Sequence, residues 1–246
     1  MSLLEVADVS VRFGGHMALQ DVSLQIDQSR ITGLIGPNGA GKTTLFNVIT
    51  GLQEPVRGKV LLNGIDITSF APHHRAQRGM ARTFQRIELF GSLTARENLM
   101  VAAEIPRKWG GEHAAPPATR VEEAIDIIGM ADFADTRADV LTTGQARLVE
   151  LGRAIVTGPK VLLLDEPASG LDADETEEFA GILADLASAG VGILLVEHDM
   201  PLVMRACSRL FVLDFGRVIA SGAPEDIQHD QAVIDAYLGA PAEVEV

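Results

Sequence analysis

The run that most limits what this chain can become is Gly36-Pro37-Asn38-Gly39-Ala40-Gly41-Lys42-Thr43-Thr44. The apolar stretch Ile31-Thr32-Gly33-Leu34-Ile35 precedes it and reads as a short buried strand. Leu45-Phe46-Asn47-Val48-Ile49-Thr50 follows and reads as a helix stopped by Gly51. A glycine loop between a strand and a helix N-terminus is the context in which the pattern G-x-x-x-x-G-K-[ST] carries chemical meaning. Gly36, Gly39 and Gly41 let the backbone turn its N–H groups inward and approach a phosphate chain closely. The helix starting near Lys42 directs the positive end of its dipole at the same point. Lys42 can then reach the terminal phosphates, and the Thr43 hydroxyl can ligate Mg2+. The run predicts a nucleoside-triphosphate site.

A second signal lies far along the chain, in Val161-Leu162-Leu163-Leu164-Asp165-Glu166. Its apolar part reads as a strand covered on both faces, as in a parallel sheet. Two carboxylates at the strand's end are too costly to bury unpaired, so they need a cation or water. Asp165 is placed to hold Mg2+, with Glu166 aimed at a water as general base. Gly192–Val196 reads as another buried strand, ending at Glu197-His198-Asp199. His198 sits there at the carboxyl edge of the sheet, where ligands bind, and either bonds a γ-phosphate or serves the structure. Leu141-Thr142-Thr143-Gly144-Gln145 opens a helix with Leu148, Leu151 and Ile155 on one face. Its start is either a cap or a second anion site. Ser169-Gly170-Leu171-Asp172 turns into a helix whose early acids, Asp174, Glu175, Glu177 and Glu178, suit its N-terminal dipole.

Around these signals the chain reads as one α/β domain with an insertion. Residues 3–13 suggest an edge strand and residues 22–26 a second, half-buried one. Phe13, before Gly14-Gly15, is either a stacking platform for a purine or a packing aromatic. Lys59–Leu62 enters a tight turn at Asn63-Gly64. A short helix from Pro72 carries His73, His74, Arg75 and Arg78 as a solvated face. Gln85, leaving a strand in Arg82-Thr83-Phe84-Gln85, either reaches Mg2+ or the attacking water, or is a surface amide. Residues 94–105 look helical behind a Thr94/Glu97 capping box, and 106–117 look like a loop in which Trp109 covers an apolar patch. Val121, Ala124, Ile125 and Ile128 mark a further helix closed by Gly129. Residues 86–155 therefore read as a mostly helical lobe inserted into a core made of residues 1–85 and 156–246. Leu210–Leu213 and Val218–Ala220 form a hairpin, two short amphipathic helices follow, and the tail from Pro241 frays.

Charge narrows the partners. Of 246 residues, 20 are basic and 34 acidic, a net charge of −14 that disfavours broad attraction to nucleic acid or anionic lipid. No apolar run approaches the roughly 18 residues needed to span a bilayer. A single cysteine, Cys207, rules out an intrachain disulfide.

Taken in order, these motifs resemble the ATP-binding subunit of ABC transporters over essentially the whole chain. Phe13 matches that family's adenine-stacking aromatic, Gly36–Thr44 its phosphate loop and Gln85 its loop glutamine. Leu141–Gln145 matches its signature, Val161–Glu166 its magnesium strand, Ser169–Asp172 its dimer loop and His198 its switch histidine. The signature departs from the usual Leu-Ser-Gly-Gly-Gln by placing Thr142 and Thr143 at its second and third positions. The resemblance implies a P-loop NTPase fold: a mainly parallel sheet, an antiparallel N-terminal β region and an inserted helical lobe. It implies ATP and Mg2+ as cofactors and ATP hydrolysis as the activity. Glu166, His198 and Gln85 would be catalytic, and Thr43, Gln85 and Asp165 would meet Mg2+. Phe13 and the whole of Gly36, Pro37, Asn38, Gly39, Ala40, Gly41, Lys42, Thr43 and Thr44 would hold ATP. Thr142, Thr143, Gly144, Gln145 and Asp172 would face the ATP of a second ATPase subunit, identical or sibling. The other implied partners are membrane permeases and, indirectly, a periplasmic or lipid-anchored solute-binding protein, with the chain peripheral on the cytoplasmic face. Ile31–Gly51, Ala81–Gln85, Glu197–Met200 and Val212–Gly222 look closest to branched-chain amino-acid importers. The alternatives are a urea or amide importer, a lipid exporter, or a soluble ABC ATPase acting on nucleic acid or ribosomes.

Overall fold

Four apolar runs, at residues 31–35, 161–165, 192–196 and 209–214, become the middle of one sheet. The computed structural model describes residues 2–83, 87–108 and 115–238; Gln85, Trp109 and the tail from Pro241 lie outside them. The first half runs β1 (Ser2–Phe13), β2 (His16–Asp27), β3 (Ile31–Ile35), α1 (Lys42–Thr50), β4 (Arg57–Leu62), β5 (Ile65–Asp66), α2 (Pro72–Ala76) and β6 (Met80–Arg82). Then come α3 (Ala95–Lys108), α4 (Pro117–Ile127), α5 (Thr143–Ile155), β7 (Val161–Asp165), α6 (Ala173–Ser188), β8 (Gly192–Val196) and α7 (Met200–Ala206). The chain closes with β9 (Arg209–Asp214), β10 (Arg217–Gly222), α8 (Pro224–Gln228) and α9 (Gln231–Leu238).

The six-stranded sheet has the order β10-β9-β3-β8-β7-β6, parallel except for the β9–β10 hairpin. Its period-2 alternation divides the side chains between two cores. Ile31, Ile35, Leu162, Leu164, Ile193, Leu195, Leu210 and Val212 face one core. Leu34, Val161, Leu163, Leu194, Val196, Phe211 and Leu213 face the other. The first core also takes Leu99, Val121, Ile125, Val149 and Leu151 of α3, α4 and α5, together with Phe179 and Leu183 of α6. The second takes α1 and the antiparallel sheet β2-β1-β4-β5. Both faces are dry, which is why these strands read as unbroken apolar runs.

Three expectations need correction. β1 is an interior strand of the antiparallel sheet, paired to β2 and to β4, and so not an edge. Register shifts along β1 blur the alternation by which an interior strand is recognised. Arg75 is not on a solvated face: it is 2% exposed, and its guanidinium donates to the carbonyls of Val48, Ile49, Thr68 and Phe70. It adds a donor to carbonyls in the last turn of α1, beside the Gly51 N–H that also reaches Val48 at 3.1 Å. Helix α3 runs through Pro106 to Lys108, so these residues are helix and not the expected loop. The Thr94/Glu97 capping box forms as expected, with Glu97 N–H donating to Thr94 Oγ1 at 3.1 Å and Thr94 N–H to Glu97 Oε2 at 2.8 Å. Among the described residues, no helix is long and apolar enough to cross a membrane.

Candidate nucleotide site

The phosphate loop leaves β3 through Gly36, whose φ of 151° lies where L side chains rarely go. A Cβ there would lie 2.0 Å from the Leu213 carbonyl oxygen, so the loop is pressed against the end of β9. At its other end Gly41, with φ 108°, caps α1 without a side-chain acceptor. The first N–H groups of α1 are therefore open to an incoming anion. Lys42 is buried, and its Nζ donates to the carbonyls of Gly36 at 2.6 Å and Pro37 at 3.0 Å. Burial lowers its pKa, while Glu166 and Asp165 pull the other way. Thr43 is exposed at the helix mouth, and Phe13, 52% exposed at the end of β1, is not core. That leaves its ring free to stack.

Asp165 ends β7 and is buried. Burial raises its pKa; Arg82, Lys42 and His198 oppose that, and Glu166 adds to it. Glu166 adopts φ 49°, a left-handed conformation unusual for a side-chain-bearing residue. Its N–H donates to the Val196 carbonyl at 2.8 Å, tying the turn to β8. Its Oε1 lies 2.6 Å from His198 Nε2. Strain of this kind is held by surrounding contacts and is frequent at functional sites. Asp165 and Glu166 thus stand together at the carboxyl end of β7, beside the end of parallel β8 that carries His198, and near enough to Lys42 to act on its charge. One carboxylate, one hydroxyl and phosphate oxygens form a donor set suited to Mg2+. Asp165 and Thr43 would supply the protein's part of such a set, and desolvation gives Asp165 a reason to prefer a cation beside it.

Two contributors escape a reading of the sequence. Glu197 is a buried carboxylate that accepts N–H groups from Ala168 at 2.7 Å and from His198 at 3.1 Å. It holds the turn after Glu166 and the backbone of His198 on one group. Its pKa is raised by burial, against the pull of those N–H bonds. Arg82, at the end of β6, places its guanidinium by Asp165 and lies 3.4 Å from Asn47 Oδ1 and Thr50 Oγ1 of α1. Its position after Met80-Ala81 was the available signal, because β6 pairs with β7 and brings it level with Leu163.

The signature stands apart. Thr142 caps α5 through a reciprocal box: Gln145 N–H donates to Thr142 Oγ1 at 3.2 Å, and Thr142 N–H to Gln145 Oε1 at 3.1 Å. Gly144 is buried, and a Cβ there would lie 2.2 Å from Glu175 Oε1. Asp172 caps α6, accepting Glu175 N–H at 2.8 Å. Thr142, Gly144 and Gln145 line a cavity of about 310 Å³ with Leu171 and Glu175, whereas Pro37–Ala40 line a different one.

A strand, a glycine loop and a helix, with an acid pair at the end of a parallel strand of the same sheet, define a P-loop nucleoside-triphosphate-binding protein. The chain belongs to the ATP-binding subunits of the ABC transporter family. The model of the ABC transporter family matches residues 19–169, and that of the branched-chain amino acid ATP-binding cassette transporter matches residues 217–243. The chain is 39% identical to the high-affinity branched-chain amino acid transport ATP-binding protein BraF of Pseudomonas aeruginosa, across 96% of this chain and 98% of that one. It is 41% identical to LivG of Escherichia coli, a protein of the same description, with the same coverage. Among solved structures, a nucleotide-free ATP-binding cassette from an ABC transporter superposes with a TM-score of 0.88 at 29% identity. That match covers 97% of this chain and 100% of the other.

Proposed function

We propose that this chain is the ATP-hydrolysing subunit of an importer for branched-chain amino acids. The match of residues 217–243 to the branched-chain amino acid cassette model carries the substrate class. The chemistry rests on the site. Phosphates would sit on the open N–H groups of α1, with Lys42 at their terminal oxygens. Asp165 and Thr43 would hold Mg2+, which neutralises charge on the phosphates when bound. Glu166 would accept the proton of the attacking water, oriented by His198 at 2.6 Å. Phe13 would stack on the adenine, and Gln85 would reach the metal or the water.

Residues 86–155 would form the signature lobe, and 1–85 with 156–246 the catalytic core. Between α2, α3 and α5 lies a groove of about 490 Å³, lined by Pro72, His73, Ala76, Ala102, Ile105 and Arg153 among others. Its apolar walls suit a short helix from a permease. Two ATPase chains would bind ATP between them, each offering Thr142, Thr143, Gly144, Gln145 and Asp172 to its partner's nucleotide.

A rival reading is export, since the chain is also 35% identical to the lipopolysaccharide export protein LptB of Haemophilus influenzae. An uptake assay separates the two. Cells lacking this chain should lose uptake of labelled leucine and recover it with the wild-type gene. Glu166→Gln should bind Mg-ATP yet hydrolyse it at least ~100-fold more slowly and fail to restore uptake. Undiminished leucine uptake in the deletion strain would sink the importer reading. Near-normal turnover in the variant would move the base elsewhere.

A further inference from the structure

At the carboxyl end of β7 the backbone ladder to β8 runs out, and a side chain continues it. Asp165 pairs in register with Val196, and Glu166 N–H still donates to the Val196 carbonyl at 2.8 Å. Pro167 has no N–H to offer. The next donor, Ala168 N–H, reaches Glu197 Oε1 at 2.7 Å instead of a backbone carbonyl. The other oxygen of that carboxylate, Oε2, accepts His198 N–H at 3.1 Å. Glu197 is 4% exposed and Ala168 is buried, so both bonds are shielded from water. These contacts close into a ring. On one side His198 Nε2 meets Glu166 Oε1 at 2.6 Å. The turn from Glu166 to Ala168 forms the second side, braced by Ser169 N–H donating to the Glu166 carbonyl at 3.2 Å. Glu197 is the third side, joining Ala168 to the His198 backbone.

We propose that Glu197 is a positioning residue for hydrolysis: by holding Ala168 and His198 on one carboxylate, it sets the separation of Glu166 and the His198 ring. This deepens the hydrolytic reading above and rests on it. Glu197 acts through those two residues and not on the nucleotide. Glu166 needs a brace, because φ 49° is a conformation that persists only where neighbours over-determine it. Its own N–H bond fixes one end of the turn, and Glu197 fixes the other. The His198 side chain is 47% exposed, so packing alone does not hold it. Its backbone bond to Glu197 and its ring contact with Glu166 supply the restraint. An error of about 1 Å in a pair of this kind can cost on the order of 100-fold in rate.

Glutamine has the shape of glutamate but one acceptor oxygen. Glu197→Gln can therefore keep one of the two bonds and must turn an NH2 toward the other N–H. In the full chain it should lower kcat about 10-fold or more, while the Kd for Mg-ATP stays within about twofold because the phosphate loop is untouched. Hydrogen exchange at the Ala168 or His198 amide should speed up about 10-fold, the scale of one bond to a charged acceptor, with the central amides of β8 unchanged. Adding Glu197→Gln to His198→Ala should cost little further turnover, since the ring is then already open. A purely structural Glu197 would lower the melting temperature and cut turnover by the same factor in both backgrounds. That result, wild-type kcat in Glu197→Gln, or wild-type exchange at both amides overturns the proposal. Should Glu197→Gln fail to fold, Glu197→Asp takes its place under the same criteria, being one methylene too short to span both N–H groups. A wild-type chain that hydrolyses no ATP would instead remove the hydrolytic reading, and the positioning role with it, even where exchange shows both amides held.

Discussion

At Asp165 burial and function conflict. Burial, with Glu166 beside it, raises its pKa against the pull of Arg82, Lys42 and His198, so the ionised carboxylate costs stability in the folded chain. For a raised acid, the native state binds more protons than the unfolded state between the two pKa values. Stability is then greatest on the acid side and is lost as pH rises through the folded pKa. Asp165→Asn removes the charge and should raise the melting temperature of the nucleotide-free chain at pH 7. Each 1 kcal/mol recovered is worth about 2–4 °C for a chain of this size. The advantage should shrink on acidification to pH 4, because a raised pKa brings on protonation earlier than in a free carboxylate. The same variant should lose Mg2+-dependent hydrolysis. Calorimetry at both pH values checks the first claim, and a lower melting temperature at pH 7 would overturn it. The residue's identity was plain from the sequence, since an acid pair closing an apolar strand is rare. Glu197 was not, because its three-dimensional role depends on Ala168, which lies across the sheet edge.

Elements were legible where one chain segment carries its own signal. The phosphate loop, the Thr94/Glu97 box and the Asn63-Gly64 turn are local patterns, and each forms as read, with Asn63 at φ 51° and Gly64 at φ 75°. Arg75 and Arg82 were opaque because their partners come from other elements, and no local pattern encodes those pairings. The signature shows a subtler limit. Its glycine can be read as an opening for phosphate, yet Gly144 is also where α5 meets the carboxylate of Glu175. Gly144→Asp therefore disturbs the monomer before any partner arrives, through a clash and a like-charge contact. Melting of the isolated chain should fall in Gly144→Asp and recover in part when Glu175→Gln is added. A double-mutant cycle should give a coupling of about 0.5–3 kcal/mol. Additive effects would show that the two residues do not meet as described.

At the scale of the molecule, the phosphate loop and the signature open into separate cavities with no lining residue in common. One nucleotide on Lys42 leaves the α5 N-terminus empty unless a second chain delivers another. Two chains of net charge −14 repel at long range, so a nucleotide bound between them would have to outweigh that repulsion. Thr143 offers a cleaner probe of this than Gly144. It is exposed in the first turn of α5, where an aspartate suits the helix dipole and leaves the fold intact. Thr143→Asp should keep the monomer's ATP affinity, because the phosphate loop is untouched. It should abolish ATP-driven dimerisation, since each new carboxylate would face a γ-phosphate across the interface. Both effects are best measured in the Glu166→Gln background, which holds ATP unhydrolysed, using light scattering for mass and calorimetry for affinity. If the partner is an identical chain, mixing Thr143→Asp with Lys42→Ala pairs one intact loop with one intact signature. That mixture should dimerise more than either variant alone. A drop in the ATP affinity of dilute, monomeric Thr143→Asp would mean that the signature serves its own chain's nucleotide, and the two-chain arrangement would be wrong.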